Sequence, residues 1–143
     1  RLALVEAAVQ GFDGIEASSM EIERGGTSYT ADTIAELEQR YSSAELSLVV
    51  GADVAAQLDS WERIEEVKSR VRLVVVNRPG TLKALDDLHV LAGWEVMSVE
   101  IPALEISSTD LRRRAATGRP LDFLVPDPAI RVLRDRGLYG GAR

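Results

Sequence analysis

A chain of 143 residues with a formal net charge of −6 is long enough to bury a core as one domain. The acidic balance counts against sequence-independent binding to nucleic acid, which needs clustered positive charge, and against a polybasic hold on anionic lipid. With no cysteine and the single histidine His89, disulfide scaffolds, thiolate zinc sites, cysteine nucleophiles and multi-histidine metal sites are excluded. No apolar run approaches the roughly 18 residues of a bilayer span. The expectation is a soluble, cytoplasmic α/β domain that handles small molecules and engages neither nucleic acid nor a membrane.

The chain opens at Arg1 already inside a helical pattern, with Leu2, Val5, Ala8 and Val9 on one stripe and Gly11 ending it. Domains seldom begin mid-helix without a cap, so a removed upstream segment is expected. Ile15 to Ile22 alternates loosely (Ile15, Ala17, Met20, Ile22) and predicts a strand. A glycine-bearing loop follows, Arg24-Gly25-Gly26-Thr27-Ser28-Tyr29, and Thr30 is placed to cap a helix with Ile34, Leu37 and Tyr41 facing inward. Leu46–Val50 reads as a strand running into Gly51-Ala52-Asp53, then a helical stretch with Trp61 near its middle. Arg72–Val76 predicts a strand buried on both faces, because its β-branched residues run on without alternation. Trp94–Ile101 is the next strand. A helix capped by Ser107 or Ser108 then runs through Ala116, and a last one starts near Pro128 and stops before Gly137. Strands alternating with helices imply βαβ units and a parallel sheet, whose ligands bind beyond the carboxyl ends of the strands.

That rule selects three segments, Gly51 to Asp53, Asn77 to Gly80 and Pro102 to Arg112. Ile106-Ser107-Ser108-Thr109-Asp110-Leu111-Arg112 opens a helix after a strand, so its hydroxyls and unpaired N–H groups suit an anion. Ser108 and Arg112 share a face, and the guanidinium is a ready fork for phosphate oxygens. The plainer alternative is a capping box from Ser107 to Asp110, with Arg113 and Arg114 solvated. At Gly51-Ala52-Asp53, glycine admits close approach and the carboxylate suits ribose hydroxyls; a tight turn with a capping aspartate is the alternative. Trp61 could stack on an aromatic ring, although a tryptophan in a domain of this size is more often core. The Arg24–Thr30 loop is an anion cradle or simply a capped loop. Neither a P-loop nor a Gly-x-Gly-x-x-Gly fingerprint is present.

Taken in order, Arg24–Thr30 with Asp32-Thr33, Gly51-Ala52-Asp53 with Leu58 and Trp61, Asn77-Arg78-Pro79-Gly80, Glu100-Ile101-Pro102, Ile106–Arg112, Leu124-Val125-Pro126 and Leu138-Tyr139 resemble the bacterial nicotinate-nucleotide adenylyltransferases. The resemblance covers nearly the whole chain and implies a Rossmann-like nucleotidyltransferase fold, α/β, with a parallel sheet flanked by helices and residues 1–143 forming one nucleotidyltransferase domain. It implies adenylyl transfer from ATP to nicotinate mononucleotide, giving deamido-NAD and pyrophosphate. The acceptor's phosphate attacks the α-phosphorus in line, and Mg²⁺ is held mainly by substrate phosphates rather than by metal-ligating side chains.

The same resemblance implies that Ser108 and Arg112 act on the phosphates, with Ser107 and Thr109 beside them and Ile106 next to the adenine. Gly51 and Asp53 hold the nucleotide, Asp53 through ribose. Trp61 stacks on the pyridine ring, Tyr29, Thr30 and the Glu62 N–H meet the nicotinate carboxylate, and Arg78 takes the mononucleotide phosphate. Oligomeric state is left open, a homo-oligomer being compatible.

The chain departs from the family pattern in carrying no Gly-x-Phe-x-Pro-x-His-x-Gly-His loop, whose histidines stabilise the triphosphate in the family's transition state. The first strand is therefore expected to be missing, with a sheet edge left unpaired. Other readings are transfer to a different acceptor (nicotinamide mononucleotide or phosphopantetheine), a non-catalytic nucleotide-binding module, and an interaction domain in which every motif is a cap or a turn. The 143-residue chain alone is expected to release little or no pyrophosphate from ATP and nicotinate mononucleotide. A coupled pyrophosphate assay checks this, and turnover at rates typical of a complete enzyme overturns it.

Overall fold

The structure, a computed structural model, describes residues 1–77, 91–104 and 106–140. His89 and the segment Arg78-Pro79-Gly80 lie outside the described residues. The chain forms two compact units, Arg24–Ala103 and the pair of segments Arg1–Glu23 and Leu104–Arg143.

In the first unit, helix α3 (Thr30–Arg40) precedes strand β1 (Ser47–Gly51), the short helices α4 (Ala52–Ala55) and α5 (Ile64–Lys68), and strands β2 (Arg72–Asn77) and β3 (Val96–Glu100). The strands lie in the order β1-β2-β3, all parallel, with Leu48 opposite Leu73 and Leu73 opposite Val96. Between β1 and β2 the chain crosses over through α4 and α5, the kind of connection a parallel pair requires.

Its central strand alternates. Leu73, Val75 and Asn77 are buried, whereas Val74 and Val76 are half-buried. Burial on both faces is thus corrected: one face joins Ala31, Ile34, Val50, Ala55, Leu58, Val67 and Trp94 in a single core cluster. The other face is more open, with Val49 62%, Met97 49% and Val99 38% exposed along rows set by the register. Among the described residues β1 pairs only with β2, so its second edge is unpaired, as expected.

Two local readings change. The inward stripe of α3 is Ala31 and Ile34, with Leu37 half-buried; Tyr41 lies past the end of the helix and is exposed. The single helix centred on Trp61 is instead two short helices around a one-turn 3₁₀ segment, Leu58–Ser60, and Trp61 is extended between them. Four residues of α4 and five of α5 are too few to hold a helix by propensity, so the anchors are the buried Ala55, Leu58 and Val67.

The second unit contains α1 (Leu2–Val9), α6 (Ser108–Ala116) and α7 (Asp127–Asp135), with α1 packed on α7. Ala115, Leu121 and Ile130 form its core with Leu111, Val125 and Leu133 against them. Pro128 sits in the first turn of α7, where its missing N–H costs nothing.

The strand predicted over Ile15–Ile22 is absent. Ile15 and Ile22 are exposed, and Met20–Arg24 forms the short helix α2. Here Ser18 Oγ accepts from the Met20 N–H at 3.4 Å, and Ser19 O accepts from Ile22 and Glu23 at 2.8 and 2.9 Å. A local serine start satisfies these donors without a sheet partner.

Leu73→Ala is expected to cost about 2–5 kcal/mol by opening a cavity beside the central strand. Val49→Ala, on the open face, should stay within about 0.5 kcal/mol. Urea unfolding of both variants checks the contrast, and equal losses would contradict a one-sided core.

Candidate nucleotide site

Three cavities are lined in part by residues singled out by sequence, whereas Ile106, Ser107 and Thr109 line none of the three. The first, about 260 Å³, is lined by Ser28, Tyr29, Thr30, Trp61 and Glu62. The loop before it turns at Gly25 and Gly26, whose φ of +69° and +71° suit glycine. Arg24 pins the loop to α3, donating to Glu36 at 3.0 Å and to Thr33 Oγ1 at 3.2 Å.

Thr30 does not cap α3. Tyr29 occupies the N-cap without a side-chain hydrogen bond, and Thr30 is the first helical residue, half-buried at the cavity wall. The first turn of such a helix carries N–H groups without intrahelical partners and a positive dipole end, both of which favour a carboxylate. Trp61 packs against the core and also lines the cavity. The Trp61 N–H is taken by Leu58 O at 2.9 Å, and Glu62 is the next residue.

Arg63, which sequence reasoning passed over, follows directly. It lies in the left-handed region (φ 56°, ψ 37°), unusual for a side chain of this size. Its Nε and Nη2 donate to the two carboxylate oxygens of Glu66, each at 2.8 Å, and Nη1 pairs with Asp32 in the first turn of α3. Donating to Glu66, then to Asp32, holds the guanidinium pKa above its ordinary value. Arg63 in turn holds the Glu66 carboxyl below its ordinary value.

The second cavity, about 610 Å³, lies at the carboxyl ends of β1 and β2 and is lined by Val49–Asp53, Val76, Asn77 and Ile101. This is within the roughly 300–1,000 Å³ of small-molecule clefts. Gly51 ends β1 as the N-cap of α4, and Asp53 is in that helix's first turn. A Cβ on Gly51 would come 2.7 Å from Asp53 Oδ1, so glycine here lets the carboxylate fold back over the backbone.

Asn77 opens a segment that the sequence selects, Asn77 to Gly80, without assigning Asn77 itself a role. It is 1% exposed, its Nδ2 donates to Ser98 Oγ at 2.9 Å, and its Oδ1 has no partner among the described residues. A buried acceptor left unmade costs about 1–3 kcal/mol, which makes Asn77 a candidate for accepting from a bound hydroxyl or amine. The signal in sequence was a polar residue closing an apolar strand.

The third cavity, about 410 Å³, belongs to the second unit. Ser108 and Arg112 line it together with Leu4, Leu111, Leu121 and Tyr139, so the shared face expected from their spacing is observed. Ser107 Oγ accepts from the Asp110 N–H at 3.1 Å, one half of the capping box. The Asp110 carboxylate turns instead to Arg114 at 2.7 Å and to Arg113. Arg114 is therefore paired rather than merely solvated, and Arg112 Nη2 donates to Thr109 Oγ1 at 3.4 Å. Ile106 is 37% exposed just before the cap. Arg78 lies outside the described residues.

Residues 1–114 match the cytidylyltransferase-like family model, which places the chain among nucleotide-handling transferases. The "Probable nicotinate-nucleotide adenylyltransferase" of Exiguobacterium sibiricum is 38% identical over 139 residues, 97% of this chain and 71% of that protein. The nicotinate-nucleotide adenylyltransferase of Bacillus subtilis is 32% identical over 139 residues, again 97% of this chain and 70% of the relative. The chain belongs to the nicotinate-nucleotide adenylyltransferase family. Its fold is the Rossmann-like one of that family: the Plasmodium falciparum nicotinic acid mononucleotide adenylyltransferase complexed with APC superposes with a TM-score of 0.61, at 15% identity, over 82% of this chain and 61% of that one. The chain spans 57% to 71% of the length of the curated relatives compared with it.

Asp110 gives a pH test. Hydrogen bonds from Arg114, then Arg113, hold its carboxyl below the ordinary 3.8. Its folded pKa is depressed, so the stabilisation of α6 is fully present above 3.8 and is lost only as pH falls through the lower folded value. A carboxyl titration by NMR should place Asp110 below 3.8, and Asp110→Asn should flatten the acid limb of the helix signal; a midpoint at or above 3.8 contradicts the pairing.

Proposed function

We propose that the protein transfers the adenylyl group of ATP to nicotinate mononucleotide, forming deamido-NAD and releasing pyrophosphate. The observation that carries this is the small cavity in which an indole and a phenol ring meet the first turn of α3, in a chain of this family. A flat pyridine ring fits against Trp61, and its carboxylate finds N–H donors at Thr30 and Glu62 and the positive end of a helix. A neutral amide gains nothing from the dipole, which is the physical basis for choosing the acid. A related structure, that of the Plasmodium falciparum protein, was solved with NaAD.

ATP is assigned to Gly51 and Asp53, with Asp53 accepting from ribose hydroxyls, and to Ile106, Ser107 and Thr109. Ser108 and Arg112 meet the phosphates. The acceptor's phosphate oxygen attacks the α-phosphorus while the bond to the bridging oxygen of the departing pyrophosphate breaks. The step needs positioning and charge stabilisation but no protein nucleophile. Arg112 offers donors in a fixed fork to the charge that develops on the phosphates. The described residues assemble no group of three or more carboxylate or histidine side chains, so Mg²⁺ would be carried by the triphosphate and water, and it would neutralise the leaving pyrophosphate. The location that fits this chemistry is the cytoplasm, where ATP is available.

Calorimetric titration should give nicotinate mononucleotide at least about ten-fold tighter binding than nicotinamide mononucleotide, as for hydrogen bonds to a charged group. Trp61→Ala should weaken both by roughly three- to ten-fold, the worth of one stacked ring. Equal binding of acid and amide, or tighter binding of phosphopantetheine, overturns the proposed acceptor.

A further inference from the structure

We propose that Arg63 is a positioning residue whose guanidinium, shared between Asp32 and Glu66, sets the spacing of the two walls of the Thr30–Trp61 cavity and thereby its preference for a carboxylate. The inference rests on the reading of that cavity given above and extends it to a residue that does not line it. The two walls come from segments far apart in sequence, Ser28–Thr30 on one side and Trp61–Glu62 on the other. Asp32 lies two residues beyond Thr30, and Arg63 one beyond Glu62. The Arg63–Asp32 pair joins the two walls across 31 residues. The fork onto both oxygens of Glu66, at 2.8 Å each, fixes the direction in which the guanidinium points.

The backbone at Arg63 supports the same role. Its left-handed conformation turns the chain between the extended Trp61 and the start of α5, so Glu62 is held at the turn rather than inside a helix. A glycine would adopt that conformation at least as readily. The turn itself therefore does not require the arginine side chain, whose contacts are the pairs with Asp32 and Glu66. Two carboxylates already pair with the guanidinium, so its effect on a bound acid is exerted through geometry rather than as a free positive charge.

The experiment compares wild type, Arg63→Gly, Arg63→Lys and Asp32→Asn in the intact chain, each titrated with nicotinate mononucleotide and with nicotinamide mononucleotide. The readout is the ratio of the two dissociation constants. A variant that folds poorly loses both ligands in proportion to its folded fraction, leaving the ratio unmoved. Arg63→Gly keeps the turn and removes the clamp, and it is expected to lower the acid preference about ten-fold. Asp32→Asn should act in the same direction, Arg63→Lys should recover part of the preference through one remaining pair, and the Arg63→Gly/Asp32→Asn double variant should be no worse than Arg63→Gly alone. If wild type prefers the acid and Arg63→Gly prefers it within two-fold of wild type, the role of Arg63 is overturned while the cavity reading stands. If wild type itself shows no preference, the cavity reading falls and takes this role with it.

Discussion

Leu73 and Val75 on the central strand are fully buried in one cluster with residues of α3, α4, α5 and the turn at Leu58, and the first two cavities are laid out around that contact. Burying alternate side chains of β2 on one face aligns the carboxyl ends of β1 and β2, where Gly51, Asp53 and Asn77 meet. It also seats Leu58 and Val67 on either side of Trp61, so the loop carrying the indole is held at both ends by core residues. The cost of leaving such apolar side chains in water, about 1.5–3 kcal/mol each, is far larger than any surface pairing in this unit.

The charged contacts have a different role. Arg63 with Asp32 and Glu66, Arg24 with Glu36, and Asp110 with Arg113 and Arg114 lie at the surface, where ion pairs contribute little to overall stability. Their geometry still matters. Arg63 and Arg24 each tie a neighbouring segment to α3, and Asp110 ties the first turn of α6 to its next turn. A surface pair that adds little to the free energy of folding can still decide where a loop rests, because loop positions differ by small energies.

The open face of the sheet is the counterpart of the one-sided core. A parallel sheet is ordinarily covered on both faces, and the exposed Val49, Met97 and Val99 form an apolar surface that helical crossovers cover in other proteins of this architecture. The edge of β1 that is unpaired among the described residues runs beside it. The strands themselves were legible from composition, because β-branched runs such as Val74-Val75-Val76 have few stable alternatives. Which of their faces would be buried was not legible, since a run without alternation carries no information about sides.

Sequence alone determined the parallel α/β class, the places of β1 and β2 to within a residue at each end, a serine cap of α6 at Ser107 or Ser108, the first turn of α7 and the grouping of the motifs with one enzyme family. All of these rest on local chemistry: a β-branched run, a hydroxyl three residues before an N–H, a proline at a helix start. Only the tertiary structure decided that Ile15–Ile22 would not be a strand, since alternation needs a buried face and only Met20 found one. It alone decided that Trp61 sits between helices, that Asn77 is buried with an unmet acceptor, and that Arg63 faces Asp32. Those contacts join residues 21 and 31 positions apart, and no local pattern reports a partner at that distance.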